Sequence, residues 1–151
     1  MEVPIYSNIR EDIELIETFW WDPEKGAPDI DFHLERMCKS AENLRFKFEI
    51  RKIRDQVFKI KSENRLRCRL TLRISGETNL STSILNPNPE AWTLLLSDSI
   101  LSSSDPWLLH NSSNRALYDT ERAKLPDGID EFIYLNERNE VCEGTITNIF
   151  V

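Results

Sequence analysis

The stretch DEFIYLNERNEVCEGTITNIFV, residues 130–151, decides the fold. Its first part, EFIYLN, is a run of aromatic and branched residues that favours a strand. Glu137 to Asn139 form a short turn and VCEGTITNIFV resumes an extended pattern, so the spacing predicts a β-hairpin. Asn139 holds a turn position where glycine is common, and asparagine tolerates the left-handed conformation. Glu143 lies inside the second strand, between Cys142 and Gly144. A lone carboxylate there is costly to bury without a partner; the alternative is an edge-strand glutamate in water. The chain stops on an apolar, extended NIFV. A strand ending in Phe150 and Val151 is expected to continue or to pair, because an uncovered apolar strand is a sticky edge, so the sequence reads as a fragment or a truncated product.

Toward the N-terminus, PDGID (126–130) is a turn, with Pro126 and Gly128 suited to a helix end. Residues 114–124 read as a helix with Ala116, Leu117 and Ala123 inward, SSSDP (102–106) as a turn, and AWTLLLS (91–97) as a strand. The polar stretch GETNLSTSILNPNPE (76–90) ends in Asn-Pro-Asn-Pro and reads as a linker, dividing the chain into lobes 1–86 and 87–151.

The first lobe carries the cleanest strand, LRCRLTLRI (66–74). Leu66, Cys68, Leu70, Leu72 and Ile74 point one way, and Arg67, Arg69, Thr71 and Arg73 the other. Before it, Phe46, Ile50, Ile53, Val57 and Ile60 repeat at helical spacing, with Glu49, Lys52, Asp55 and Lys59 on the outer face. An earlier helix begins near Asp31, capped by Asp29 or Asp31. Leu34, Met37, Cys38, Ala41 and Leu44 form its apolar face, while His33, Arg36 and Ser40 share a different face. DIELIETFWW (12–21) reads as a strand and DPEKGAP (22–28) as a loop. The pattern as a whole is α+β.

With 40% hydrophobic and 30% charged residues, the chain of 151 residues has a globular balance. The N-terminal MEVPIYSNIRED shows no secretory signal and no apolar run approaches a membrane span, so the cytoplasm is the expected compartment. A net charge of −7 argues against nucleic acid as the main partner. The three cysteines, Cys38, Cys68 and Cys142, lack metal-ligand spacing and read as buried thiols.

Four segments together carry a resemblance: LIETFWWDP (15–23), FHLERMCKSAENLRF (32–46), HNSSNRALYD (110–119) and the hairpin. In this order they resemble class IV (fold type IV) pyridoxal-phosphate enzymes, the aminotransferases and aminodeoxychorismate lyases. The resemblance implies a small α/β sandwich lobe followed by part of a larger, barrel-like lobe. It implies pyridoxal 5'-phosphate as cofactor, an amino-acid-like or carboxylate substrate, and a homodimer. The coenzyme is an electron sink whose pyridine nitrogen needs a carboxylate, a role the resemblance gives to Glu143. Its phosphate wants an arginine fork, and the matching residue is Arg36, which is otherwise a surface arginine. Tyr118 matches a family tyrosine loosely and is as well read as a packing residue. Arg67 and Arg69 lie on the strand that by resemblance borders the substrate pocket; pairing with Glu14 or Glu17 across strands is the competing reading.

One position departs. The family reads His-Lys-x-x-Asn-Arg in the third segment, and its lysine forms the Schiff base and shuttles the proton. Here Asn111 stands in that place, and its amide nitrogen is neither basic nor able to form the link. Lys124 lies 13 residues on, about 20 Å along a helix, and is a poor substitute. The family draws a second phosphate cradle from later loops, beyond this sequence. The expectation is a class IV enzyme impaired in catalysis, the alternatives being a non-catalytic dimerising or ligand-binding relative, or a truncated, pseudogene-like product.

Overall fold

The computed structural model describes residues 9–149, so Phe150 and Val151, on which the sequence pattern of the final strand ends, lie outside the described residues, as does the start of the N-terminal segment. The chain divides into two compact units. The first holds residues up to Asn86 together with Leu109–Asn114; the second holds Pro87–Leu108 and the chain from Arg115 onward.

The first unit is a three-stranded antiparallel sheet with helices on one face. Strand β1 (Glu14–Trp21) pairs with β2 (Leu66–Arg73), which pairs with β3 (Thr78–Ile84). Helix α1 (Ile30–Leu44) packs on β1, and α2 (Ile50–Phe58) reaches β3. The register sets the two faces. Leu15, Glu17, Phe19 and Trp21 stand opposite Leu72, Leu70, Cys68 and Leu66, all buried. From α1, Leu34, Met37, Ala41 and Leu44 are buried, and from α2, Ile53 and Val57. Each large apolar side chain removed from water contributes about 1.5–3 kcal/mol.

Several expectations are corrected. Residues 78–84, read as linker, are strand β3, whose β-branched Thr78, Thr82 and Ile84 suit an edge; its mostly exposed side chains gave the polar look of a loop. The second helix is confined to Ile50–Phe58: Phe46 is buried outside it, just past Arg45, which turns the chain through a left-handed conformation (φ 60°) at the end of α1. Asp29 sits at the N-cap of α1 without capping it, because its carboxylate accepts the Trp20 indole N–H at 3.1 Å. Of the three thiols only Cys68 is buried; on α1, Ser40 takes the buried position beside Ala41 and Cys38 is half-exposed.

In the second unit β4 (Leu94–Leu101) runs parallel to β5 (Glu131–Asn136), and β5 pairs antiparallel with β6 (Val141–Gly144). The hairpin expected around residue 138 is present, and Asn139 adopts φ 58° in its turn. Strand β4 begins and ends later than the 91–97 pattern suggested. Helix α3 (Ala116–Arg122) is shorter than expected and buries none of its residues; Leu117, expected inward, is 39% exposed. The helix is held instead by polar and aromatic contacts.

Candidate functional site

In the second unit, α3 and β6 bring together two of the residues singled out in the sequence. The Tyr118 hydroxyl donates to Glu143 Oε1 at 2.6 Å. Tyr118 also meets Tyr134 edge-on, with ring centroids 5.4 Å apart, and the Arg115 guanidinium lies over its ring at 5.0 Å. Burial, then the Glu143 carboxylate, push the Tyr118 phenol far above its ordinary range, so it is a permanent donor. Glu143 is half-buried, and its second carboxylate oxygen accepts no hydrogen bond from a described residue. The partner that a carboxylate on this strand requires is thus the Tyr118 hydroxyl.

The same unit holds a second carboxylate that the sequence hid. Glu131 is fully buried at the start of β5. It accepts from the Thr145 hydroxyl, from Ile146 N at 3.0 Å, from the Thr147 hydroxyl at 3.1 Å and from its neighbour Phe132 N at 3.0 Å, with Arg122 Nη1 at 3.4 Å. Burial opposes its ionisation, but the donors from Thr145, Ile146 and Thr147 outweigh that and hold the carboxyl below its usual range. The 145–147 loop therefore folds around a buried anion. Gly144 makes this possible: a Cβ there would collide with the Thr147 hydroxyl and come within 2.9 Å of the Glu131 side chain. Arg115 adds a hydrogen bond to the Thr145 carbonyl. The Glu-Gly-Thr run and the upstream acid are one structural device that fixes the end of the strand carrying Glu143.

In the first unit, His33 and Arg36 extend from α1 to a buried carboxylate on β1. Arg36 grips Glu17 with Nε at 2.8 Å and Nη2 at 2.6 Å, and His33 Nδ1 lies 2.7 Å from the same carboxylate. Glu17 is 1% exposed, and sequence reasoning assigned it no role on this face. Strand alternation from Leu15 places it toward the helices, which was the available signal. Arg36 spends two of its five N–H donors on Glu17, leaving three free of it. One helical turn on, Ser40 Oγ meets His110 Nδ1 at 3.0 Å. Burial lowers the His110 pKa and favours its neutral ring. Arg36, Ser40 and His110 all line one cleft of about 380 Å³.

Asn111 follows His110 on a segment laid along β1. Ile16 N donates to the Asn111 carbonyl at 2.8 Å, and Ser113 N to the Glu14 carbonyl at 2.8 Å. The backbone at 111 is fixed, and its half-buried side chain is an amide. Arg67 and Arg69 lie on the sheet face away from the helices, beside Ser83 and Ser81 in register. The competing reading for them is not what the structure adopts: Glu14 pairs with Arg73 at 3.1 Å, and Glu17 points to the other face. Neither Arg67 nor Arg69 forms an ion pair with a described residue.

The family model for amino-transferase class IV matches residues 14–151. This chain belongs to the class IV aminotransferase family. A Mesorhizobium loti protein assigned as an amino-acid aminotransferase is 33% identical, with a TM-score of 0.80, over 89% of this chain and 68% of its own. Two more distant structures share the fold. The 4-amino-4-deoxychorismate lyase of Pseudomonas aeruginosa is 20% identical, with a TM-score of 0.67, over 88% of this chain and 56% of its own. A Thermotoga maritima protein assigned as a branched-chain amino acid aminotransferase is 17% identical, with a TM-score of 0.71, over 88% of this chain and 50% of its own. A search of curated proteins finds no match.

Class IV aminotransferases as a family use pyridoxal phosphate. Glu143 offers a carboxylate oxygen beside a fixed tyrosine donor, which fits a protonated pyridine nitrogen. Arg36 keeps donors for a phosphate. Asn111 does not fit covalent attachment, because an amide nitrogen is not a nucleophile. Among the described residues no cluster could hold a metal ion, and no helix is long and apolar enough to cross a membrane.

Proposed function

We propose that this chain is a class IV aminotransferase-type protein that holds a vitamin B6 coenzyme by contacts alone. Its amino-group transfer, or 4-amino-4-deoxychorismate lyase-type chemistry, is impaired because Asn111 replaces the anchoring lysine. The observation that carries this reading is an amide on a backbone pinned to β1, in a family whose catalytic amine follows the histidine of this segment. Glu143 holds positive charge on the pyridine nitrogen, and Tyr118 holds Glu143. Arg36, oriented by Glu17, takes the phosphate. Arg67 and Arg69 take a substrate carboxylate. When bound, the coenzyme supplies an electron sink for charge developing on the substrate. With no amine at 111, no side chain there moves the substrate proton, a loss of about 10²–10⁴ in rate.

The exposed apolar run Leu94, Leu95, Leu96 and Ile100, 42–59% exposed, favours a second reading: a dimerising or ligand-binding relative that has lost catalysis. A titration with pyridoxal phosphate, read by equilibrium dialysis beside light scattering, separates the two. The first reading expects saturable binding weakened about tenfold or more by Glu143→Gln and by Arg36→Ala, since each removes a charged contact. A tight dimer with no measurable coenzyme affinity overturns it in favour of the second.

A further inference from the structure

The first unit carries a second cavity, of about 250 Å³, that none of the candidate site residues lines. Its floor is Trp21, Ile30 and Val57, and its rim is Lys25, Arg54 and Lys61. Among the described residues no aspartate or glutamate lines it, although the protein carries a net charge of −7. Arg54 is neutralised from outside by Asp31 at 2.5 Å. Lys25 and Lys61 are exposed, and neither forms an ion pair with a described residue. The opening thus concentrates positive charge around an apolar floor.

The wall of the cavity is rigid. Asp22 and Gly26 exchange two backbone hydrogen bonds, at 2.7 and 2.8 Å. The buried Asp22 carboxylate closes the turn by accepting from Glu24 N, Lys25 N and Arg65 Nε. A ligand entering here meets a formed site and loses little to ordering it. A dry apolar cavity of about 150 Å³ admits a benzene ring, so one of about 250 Å³ has room for a bicyclic ring with a small head group.

We propose that this cavity binds a small aromatic carboxylate, with the ring on Trp21 and Val57 and the carboxylate between Lys25 and Lys61. The site stands on its own, apart from the coenzyme reading. The probe is naphthalene-2-carboxylate on the full chain, followed by calorimetry and by amide chemical shifts. Binding is expected with a Kd of about 1 mM or tighter, the range usual for so few atoms, with shifts centred on Gly26, Ala27 and Lys61. Naphthalene-2-methanol, the same ring without charge, should bind at least about fivefold more weakly, and Lys25→Glu with Lys61→Glu should lose about tenfold or more. Both lysines are exposed, so an unchanged amide spectrum elsewhere verifies that the variant folds. Equal affinity for the neutral ring, shifts centred elsewhere, or no binding at 10 mM probe (about tenfold above the expected Kd) overturns the proposal. A variant that turns a dimer into a monomer, with no probe shifts in the parent, also overturns it and makes the cavity a subunit contact.

Discussion

Replacing Glu131 by glutamine tests the claim that the 145–147 loop is folded around a buried anion. The carboxylate is fully buried and accepts hydrogen bonds from Thr145, Ile146, Thr147 and Phe132, with Arg122 alongside. Glutamine keeps the shape but turns one acceptor into an amide donor. It then faces Ile146 N or Phe132 N donor to donor, depending on which oxygen it replaces, and Arg122 loses its counter-charge. A hydrogen bond to a charged group contributes about 1.5–3 kcal/mol, and breaking a buried pair costs about 3–5 kcal/mol. These losses overlap, so the expected destabilisation of the second unit is about 3–5 kcal/mol. At roughly 3–4 °C per kcal/mol for a chain of this size, the melting temperature falls by about 9–20 °C. The assay is native-state amide exchange at Ile133 and Tyr134, with urea unfolding beside it. A loss below about 1 kcal/mol refutes the reasoning, because it means that the donors are satisfied without the charge.

Other consequences follow from the same geometry. Because its donors hold the folded-state Glu131 carboxyl below its ordinary value of 4.5, its stabilisation is complete above that pH and is lost as pH falls through the lower folded value; acid unfolding monitored by β5 amide exchange should show this, and Glu131→Gln should flatten it. Tyr134→Phe should be neutral or stabilise by about 1 kcal/mol in urea unfolding, because the buried Tyr134 hydroxyl has no partner among the described residues. Burial pushes the Tyr134 phenol up to about 12, so alkaline titration at the tyrosinate band should lose one late-ionising component in this variant and keep that of Tyr118. Glu17→Gln should destabilise the first unit by about 1–3 kcal/mol, read as a lowered urea midpoint, since it breaks a two-pronged grip by Arg36 and a contact with His33.

Much of this was visible in the residues. Alternation at 66–73 fixed the face of β2, and helical spacing fixed α1, because both elements are half-buried and their pattern is therefore periodic. Strand β3 escaped because an edge strand with mostly exposed side chains carries no burial period. Helix α3 misled for the opposite reason: its anchors are Tyr118 and the Arg115 beside it, not the aliphatic positions. Glu143 and Tyr118 were legible as separate candidates, but their hydrogen bond spans 25 residues and depends on the hairpin register. Glu131 and Glu17 read as ordinary acids, since nothing local says that a carboxylate will be buried among donors supplied from elsewhere in the chain.

The central claim is that position 111 is the anchoring spot and has lost its amine. The direct measurement is borohydride reduction after incubation with pyridoxal phosphate, followed by peptide mass mapping, for the parent chain and for Asn111→Lys. The account predicts no reduced adduct within the 110–119 segment of the parent and a stoichiometric adduct at residue 111 of the variant. A variant that acquires no adduct there, while still binding the coenzyme, contradicts it.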